Sequence, residues 1–321
     1  MKTNNNRSSH SHPFAVAFFA VFVLMALSAA APAGAGDDSA LFWSIDRNDE
    51  RAGYVLGTIH SEDPRVLDFS EAFIEMLSSN HVFAMEMVPD LPTLQRLTEF
   101  MQYQDGTTLE SRVGPDRYAR LQLALVRYQV PADWIAGMKV WAAMMTLSIP
   151  PPETGFFMDF SLSLRAAGAG LRVAGLETLE EQLAFLEEMP MEQQVELLDQ
   201  ALAEYPRAQE VHDQMVESYL GGDLLALKVQ AEEQLSQLDP EARRYFMHRG
   251  IDLRNQRMME SLDPLLNEGR VFVAVGAMHL PGKNGLLQLL RDRGYVLNPL
   301  PLPFNAEERV SAREPMQSQR N

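Results

Sequence analysis

The sequence predicts an α/β fold, with a central, mixed or mostly parallel sheet built from both chain ends, flanking helices and a large helical insertion. Two short apolar runs, 54–60 and 273–279, predict the sheet, because they are rich in β-branched and small residues and are followed by polar or turn-forming residues. Between them, apolar residues recur at spacings of three and four, which is typical of helices. We therefore expect one α/β domain rather than two domains in series.

Both apolar runs end in the same pattern, Gly-x-x-His: Gly57 precedes His60, and Gly276 precedes His279. Side chains alternate across a strand, so each glycine leaves one face open to close approach while the histidine lies where the strand ends. Open α/β sheets bind ligands outside the carboxyl ends of their strands. The matched contexts favour one shared site for the two imidazoles. The alternative is two unrelated histidines that are merely hydrogen-bonded.

The first elements follow a β-hairpin and βαβ pattern. Residues 41–46 and 54–60 flank a polar turn and predict a hairpin. Asp68 is expected to cap the next helix, with Glu71 as its capping-box partner, and 81–88 is expected to be a strand. Strand, helix and strand at these lengths predict one βαβ unit.

The middle of the chain is mainly helical. Residues 90–149 have a helical pattern that ends before three consecutive prolines. A short helix is expected over 159–167, where glycines follow, and a strand over 171–176. Thr178 is expected to cap the next helix, with Glu181 as its capping-box partner.

The last part of the chain returns to the sheet. Residues 191–267 have a helical pattern, and a strand is expected over 270–279. A leucine-rich helix over 286–293 and a strand over 295–300 complete the fold. The polar tail, 305–321, is expected to be loose.

The N-terminal segment has the features of a secretory signal peptide. Lys2 and Arg7 give it a positive start, an uncharged apolar stretch follows over 14–30, and small residues come next. The alternative is a retained anchor, because the apolar stretch is at the lower length limit for spanning a bilayer. We expect a signal peptide at 1–36, a single domain at 37–304 and a periplasmic or extracellular location.

The composition excludes several classes of function. The chain has 321 residues, is 46% hydrophobic, has a net charge of −17 and contains no cysteine. An acidic chain without clustered Lys and Arg is not expected to bind nucleic acid, and thiol chemistry is excluded. No nucleophile elbow, phosphate loop or His-Glu-x-x-His motif is present. The expected partner is a peptide or another small exported substrate, with no membrane partner after signal cleavage.

Glu86 is the only charged residue of its apolar run, and strand alternation places it on a buried face. A buried carboxylate is costly unless it is paired or binds a cation. An internal salt bridge with an arginine is the alternative. Its expected position beside the strand that ends in His60 favours the site.

Three other polar positions are candidates. Glu177 falls at the carboxyl end of a predicted strand, although it could equally be an acid that favours a helix N-terminus. Asp159 is expected only to cap its helix. Arg254 lies in an apolar helical stripe and should point inward, toward a substrate anion or a buried carboxylate, and Asn255 could add a hydrogen bond.

His60, His279 and Glu86 form a mixed nitrogen and oxygen set that suits zinc, manganese, cobalt or ferrous iron. With three protein ligands, one position stays open for a water molecule, whose pKa the metal lowers. Without a metal, the same residues could act as a histidine–glutamate base pair. The sequence does not choose among these metals.

Several motifs occur in a fixed order over residues 41–300. They are Gly57-Thr58-Ile59-His60, Glu86, Gly175-Leu176-Glu177-Thr178 with Glu181-Gln182, Arg254-Asn255 and Gly276-Ala277-Met278-His279. The ordered set resembles the TraB/GumN family, which includes the plasmid pheromone-shutdown proteins and the Tiki proteases. The resemblance implies a fold shared with erythromycin-esterase-like and haem-binding ChaN-like proteins. It also implies the metal-dependent protease activity described for Tiki members.

The resemblance assigns His60, Glu86 and His279 to a metal or catalytic set, with Glu177 and Arg254 supporting it. The first hypothesis is therefore an exported, metal-dependent hydrolase acting on a peptide bond. In it Glu86 is a further ligand or general base, Glu177 orients a ligand or water, and Arg254, beside Asn255, holds a substrate carboxylate or stabilises transition-state charge. The second hypothesis is a non-catalytic binding protein for a peptide, haem or saccharide, and the third is a purely structural member.

Overall fold

The structure, a computed structural model, describes residues 39–305. The predicted signal peptide at 1–36 and nearly all of the predicted tail lie outside these residues. The described strands form one six-stranded mixed sheet in the order β4-β3-β5-β2-β1-β6. The strands are β1 (Phe42–Arg47), β2 (Glu50–Thr58), β3 (Val82–Met85), β4 (Arg172–Gly175), β5 (Val271–Gly276) and β6 (Val296–Pro299).

The centre of the sheet is parallel and joins the two ends of the chain. Strand β5 pairs in parallel with β2 on one side and with β3 on the other, and β4 extends the parallel set beyond β3. Strands β1 and β6 add an antiparallel edge. The predicted α/β fold with strands from both chain ends is confirmed. The sequence predicted that the strand before Glu86 lies beside the strand before His60. This was wrong, because β5 lies between those two strands.

Helices cover the sheet and make up most of the chain between β3 and β5. The first group is α1 (Pro64–Leu67), α2 (Glu71–Ser78), α3 (Leu91–Phe100), α4 (Leu109–Val113), α5 (Pro115–Leu125), α6 (Ala132–Gly137) and α7 (Val140–Leu147). The second is α8 (Met158–Gly168), α9 (Leu179–Glu187), α10 (Met191–Glu204), α11 (Ala208–Leu220), α12 (Leu224–Leu235), α13 (Pro240–Tyr245), α14 (Leu253–Glu268) and α15 (Leu286–Asp292). A π-helical segment, Phe246–Asp252, joins α13 to α14.

The hairpin was predicted correctly, but its turn is tighter than expected. Strand β2 begins at Glu50, and only Asn48 and Asp49 separate the strands, with φ of 52° and 62°. A two-residue hairpin turn requires this left-handed conformation, which Asn and Asp tolerate better than most residues. The polar residues after the turn extend the strand because cross-strand hydrogen bonds outweigh their weak strand preference.

Other boundaries also differ from the prediction. Asp68 does not cap α2: Ser70 does, by accepting a hydrogen bond from the Phe73 backbone, and Asp68 ends α1 instead. The capping box of Thr178 and Glu181 at the start of α9 is confirmed. The apolar runs 54–60 and 273–279 continue past the ends of β2 and β5, because the chain is still buried where it leaves the sheet.

The described core has two parts. One lies around the sheet and the helices packed on it, and the other lies within the helical insertion, from α3 to the π-helical segment. Gly57 fits tightly where the two chain ends meet, since a Cβ there would lie 2.7 Å from Leu280 Cδ1 and 2.9 Å from Ala277 Cα. The expected close approach at this glycine is confirmed. Among residues 39–305, no helix combines the length and apolar character needed to cross a membrane.

Candidate functional site

The candidate residues converge at the carboxyl ends of the parallel strands. His60 follows β2 by two residues, Glu86 directly follows β3, and Glu177 follows β4 by two residues. His279 ends a 3₁₀ turn, Ala277–His279, that directly follows β5. All four are buried, at 2% to 7% exposure. Parallel strands therefore bring residues that are far apart in sequence to one edge of the sheet.

Arg254 lies at the centre of a buried ionic cluster. Its Nε donates to both carboxylate oxygens of Glu177 at 3.0 Å, and its Nη2 donates to Glu177 Oε2 at 2.7 Å and to Glu86 Oε2 at 2.6 Å. Only 1% of Arg254 is exposed, as its place in the apolar stripe predicts. The sequence predicted a substrate anion or a buried carboxylate as the partner of Arg254. In the structure its partners are two buried carboxylates. Two acids facing one base leave a buried excess of negative charge.

Glu86 accepts hydrogen bonds at both of its oxygens. The Gly276 backbone N–H donates to Oε1 at 2.8 Å, and Gln182 Nε2 donates to Oε2 at 3.2 Å, beside the Arg254 contact. Burial raises the pKa of Glu86 to about 7, because the lowering effect of Arg254 is partly opposed by the charge of Glu177. Glu86 can therefore gain or lose a proton near neutral pH.

His279 is held in one tautomer by Asn255. The Asn255 side-chain Nδ2 donates to the Asn284 carbonyl at 2.9 Å, so its Oδ1 faces His279 Nδ1 at 2.6 Å and must accept. The proton of the neutral ring is thus on Nδ1, and the Nε2 lone pair faces Glu86 Oε1 at 3.8 Å. Burial, followed by the charge of Arg254, lowers the pKa of His279 well below its usual value. The imidazole is therefore neutral.

His60 is positioned by the start of α8. Its ring stacks on Phe157, with centroids 4.0 Å apart and planes 7° apart, and its Nδ1 lies 3.4 Å from Asp159 Oδ2. Asp159 also accepts a hydrogen bond from the Thr58 hydroxyl. The prediction that Asp159 caps the helix was wrong, because Phe157 occupies the N-cap position and the carboxylate turns toward His60.

His60 lies between two cavities. The larger one, about 250 Å³, is lined by both His60 and His279 and by the helices α10 to α12 opposite them. The smaller one, about 40 Å³, is lined by His60, Glu86 and Asp159 together with mainly apolar side chains. The structure thus places both Gly-x-x-His imidazoles on one cavity and Glu86 on its neighbour.

The donor chemistry suits a divalent metal, but the donors lie in pairs. His279 Nε2 and Glu86 Oε1 are 3.8 Å apart, and His60 Nδ1 and Asp159 Oδ2 are 3.4 Å apart. A neutral imidazole whose other nitrogen is hydrogen-bonded, next to a carboxylate, is a common arrangement for metal ligands. Within residues 39–305, no group of three or more such side chains is arranged to hold an ion. The metal set of His60, His279 and Glu86 stays a prediction.

Sequence reasoning missed three residues of this region. Gln182 was noted only as part of a motif, Phe157 not at all, and Asp159 only as a cap. Asp159 and Phe157 had no distinguishing signal, because a first-turn acid and an aromatic residue are common in any helix. Gln182 directly follows a capping-box glutamate, and only its burial against Glu86 reveals its role.

A comparison with known protein families gives a match over most of the described chain. Residues 41–299 match the model of the TraB/PrgY/gumN family. The chain belongs to the TraB/PrgY/gumN family. No solved structure matches it.

Three relatives of this TraB/PrgY/gumN protein are named metalloproteases. It is 25% identical to Metalloprotease TIKI1 of Danio rerio, with 83% of this chain and 64% of that protein covered. It is 24% identical to Metalloprotease TIKI2 of Xenopus tropicalis (84% and 61% covered) and to a Metalloprotease TIKI homolog of Nematostella vectensis (80% and 66% covered). The chain therefore spans less than two-thirds of the length of these relatives.

Proposed function

We propose that this chain is an exported hydrolase that uses a divalent metal ion and cleaves a peptide bond. One observation carries the proposal: the histidines of both Gly-x-x-His motifs line one cavity, and Glu86 faces one of them. The metalloprotease names of distant relatives support the reaction class. The pattern of the N-terminal segment supports a periplasmic or extracellular location.

In this proposal His279, His60 and Glu86 would hold the ion, with Glu86 as a further ligand or as the general base. A divalent ion supplies Lewis-acid activation of water. Asn255 keeps the His279 proton on Nδ1, so that the Nε2 lone pair is available. Glu86, with a pKa of about 7, can take a proton from water and return it to a leaving amine. Arg254 and Glu177 position Glu86 rather than touch substrate.

The test combines metal binding with hydrolysis. The purified full chain is titrated with Zn²⁺, Mn²⁺ and Co²⁺ by calorimetry, and a peptide library is digested with each metal. We expect one ion per chain and metal-dependent cleavage. His279→Ala should lower both by at least about 100-fold, since it removes a ligand outright.

The matched control is His248→Ala, because His248 is exposed in the π-helical segment and lines neither cavity. This variant should bind metal and cleave peptides like the wild type. Failure of all three metals to bind, or equal loss in both histidine variants, would contradict the proposal.

A ligand-binding function without catalysis is the second candidate. It is favoured by the ion pair that already engages Glu86 and by the absence of a three-ligand group within the described part of the chain. Four glutamines line the larger cavity and offer hydrogen bonds to a polar ligand such as a peptide or saccharide: Gln214, Gln230, Gln234 and Gln237. Tight ligand binding with no cleavage under any metal would favour this function.

A further inference from the structure

The smaller cavity next to Glu86 has mainly apolar walls. Helices α3, α8 and α9 close it over the carboxyl end of β3. The apolar walls are Met85, Met87, Leu97, Phe160 and Leu179. Its volume of about 40 Å³ corresponds to about three water-sized spheres, so it can hold about three or four side-chain atoms. Its size and lining therefore match a slim apolar group.

Gln182 adds a hydrogen-bonding side chain to the wall of this cavity, next to Glu86. The residue is 1% exposed, and its Nε2 donates to Glu86 Oε2, which fixes the amide orientation because a carboxylate oxygen accepts. The other amide atom, Oε1, is buried and has no hydrogen-bond partner among residues 39–305. A buried acceptor without a donor is unfavourable, so this atom is suited to a donor that a ligand brings.

We propose that this cavity is a specificity pocket for a slim apolar side chain, such as that of leucine or valine, in a peptide. Gln182 Oε1 accepts the main-chain N–H of the same residue. This inference rests on the proposed function, which it deepens by naming the substrate side chain. Because His60 borders both cavities, a side chain in the pocket leaves the adjoining peptide bond beside the His60 imidazole.

The first test measures binding, which does not depend on catalysis. The full chain, labelled with ¹³C at the methionine methyl groups, is titrated with N-acetyl-leucinamide, and the Met85 and Met87 signals are assigned by substitution. We expect these signals to shift with N-acetyl-leucinamide and to stay unchanged with the aspartate and phenylalanine analogues. The aspartate analogue would bring a charge next to Glu86, and the phenylalanine ring exceeds the cavity. Equal shifts with all three, or none, would overturn the proposal.

Leu97→Phe should fill the pocket and reduce the shifts at least tenfold at a given ligand concentration. The control is Leu91→Phe, the same change on the same helix at a side chain that is 62% exposed, which should leave them intact. The ligand series on the wild-type chain decides the question on its own if Leu97→Phe does not fold.

The role of Gln182 is tested with an N-methyl analogue of N-acetyl-leucinamide, which lacks the main-chain N–H. On the wild type this analogue should bind at least fivefold more weakly than the parent. On Gln182→Met, which removes the acceptor at similar volume, the two should bind equally. An unchanged ratio between wild type and variant would overturn the hydrogen-bond part of the proposal.

Failure of the pocket and failure of the hydrolase give different results. If N-acetyl-leucinamide shifts the Met85 and Met87 signals but no peptide is cleaved with any metal, the pocket stands and the hydrolase is rejected. If peptides are cleaved without preference for leucine or valine and the signals do not move, the hydrolase stands and the pocket is rejected.

Discussion

At the scale of single residues, the site depends on which buried side chains are charged and on whether a proton or a partner side chain neutralises them. Glu86 and Glu177 face one arginine, so the cluster carries an excess of negative charge that a proton or a metal ion can neutralise. Asn255 fixes the proton of the neutral His279, whose free lone pair points at the same carboxylate. These contacts make Glu86 the residue whose protonation state matters most.

The pH dependence of stability should contain two opposing contributions. The raised pKa of Glu86, about 7 instead of 4.5, stabilises the folded state fully below pH 4.5, and this contribution is lost as the pH rises through about 7. The lowered pKa of His279 acts oppositely: its contribution is present above its usual pKa of 6.5 and is lost as the pH falls.

Replacing Glu86 by Gln should leave the His279 contribution unopposed. With a chelator present, the free energy of unfolding should rise more steeply with pH from 4.5 to 7.5 than in the wild type, by up to about 3 kcal/mol over that range. Urea unfolding at several pH values measures it. Glu260→Gln, at an exposed position on α14, should follow the wild-type curve, and parallel curves for Glu86→Gln and wild type would contradict the assignment.

At the scale of secondary-structure elements, α11 supports the first Gly-x-x-His motif from behind. The fully buried Tyr219 donates its hydroxyl to the Gly57 carbonyl at 2.7 Å. Helix α11 thus fixes the start of the segment that carries His60.

Removing the Tyr219 hydroxyl should loosen this support. Tyr219→Phe is expected to lower the free energy of unfolding by about 1–2 kcal/mol, because the buried Gly57 carbonyl loses a donor while the ring still packs. Urea unfolding again provides the measurement. Tyr295→Phe is the control, since that buried hydroxyl has no hydrogen-bond partner in the described chain. An equal effect in both variants would show that the hydrogen bond from Tyr219 does not contribute to stability.

At the scale of the whole molecule, the sheet joins the two ends of the chain around β5. This strand comes last in sequence among the parallel strands and lies between β2 and β3. The site therefore forms only when the two ends of the chain have come together. The tightest contact of this arrangement is at Gly57, where the N-terminal motif meets the turn after β5. Non-local pairing of this kind makes folding slow relative to helical proteins of similar size.

Gly57→Ala should therefore destabilise the whole molecule. Its Cβ would lie within 3 Å of both Ala277 and Leu280, and overpacking of this kind costs about 1–3 kcal/mol. Gly168→Ala, at the end of α8, is the control, because its Cβ would have no neighbour within 4 Å and should be neutral or slightly stabilising. The midpoint of thermal unfolding compares the two. A neutral Gly57→Ala would mean that the two motifs are not in close contact.

The amino-acid sequence by itself determined the α/β class, the contribution of both chain ends to the sheet, the hairpin and the capping box at Thr178. Each depends on local periodicity or turn chemistry, which neighbouring residues determine. Only the tertiary structure decided the strand order, the pairing of Arg254 with two carboxylates and the turn of Asp159 toward His60. These join residues from 77 positions apart (Arg254 and Glu177) to 256 positions apart (Trp43 and Pro299), and no local pattern specifies which distant partner a buried charge will meet.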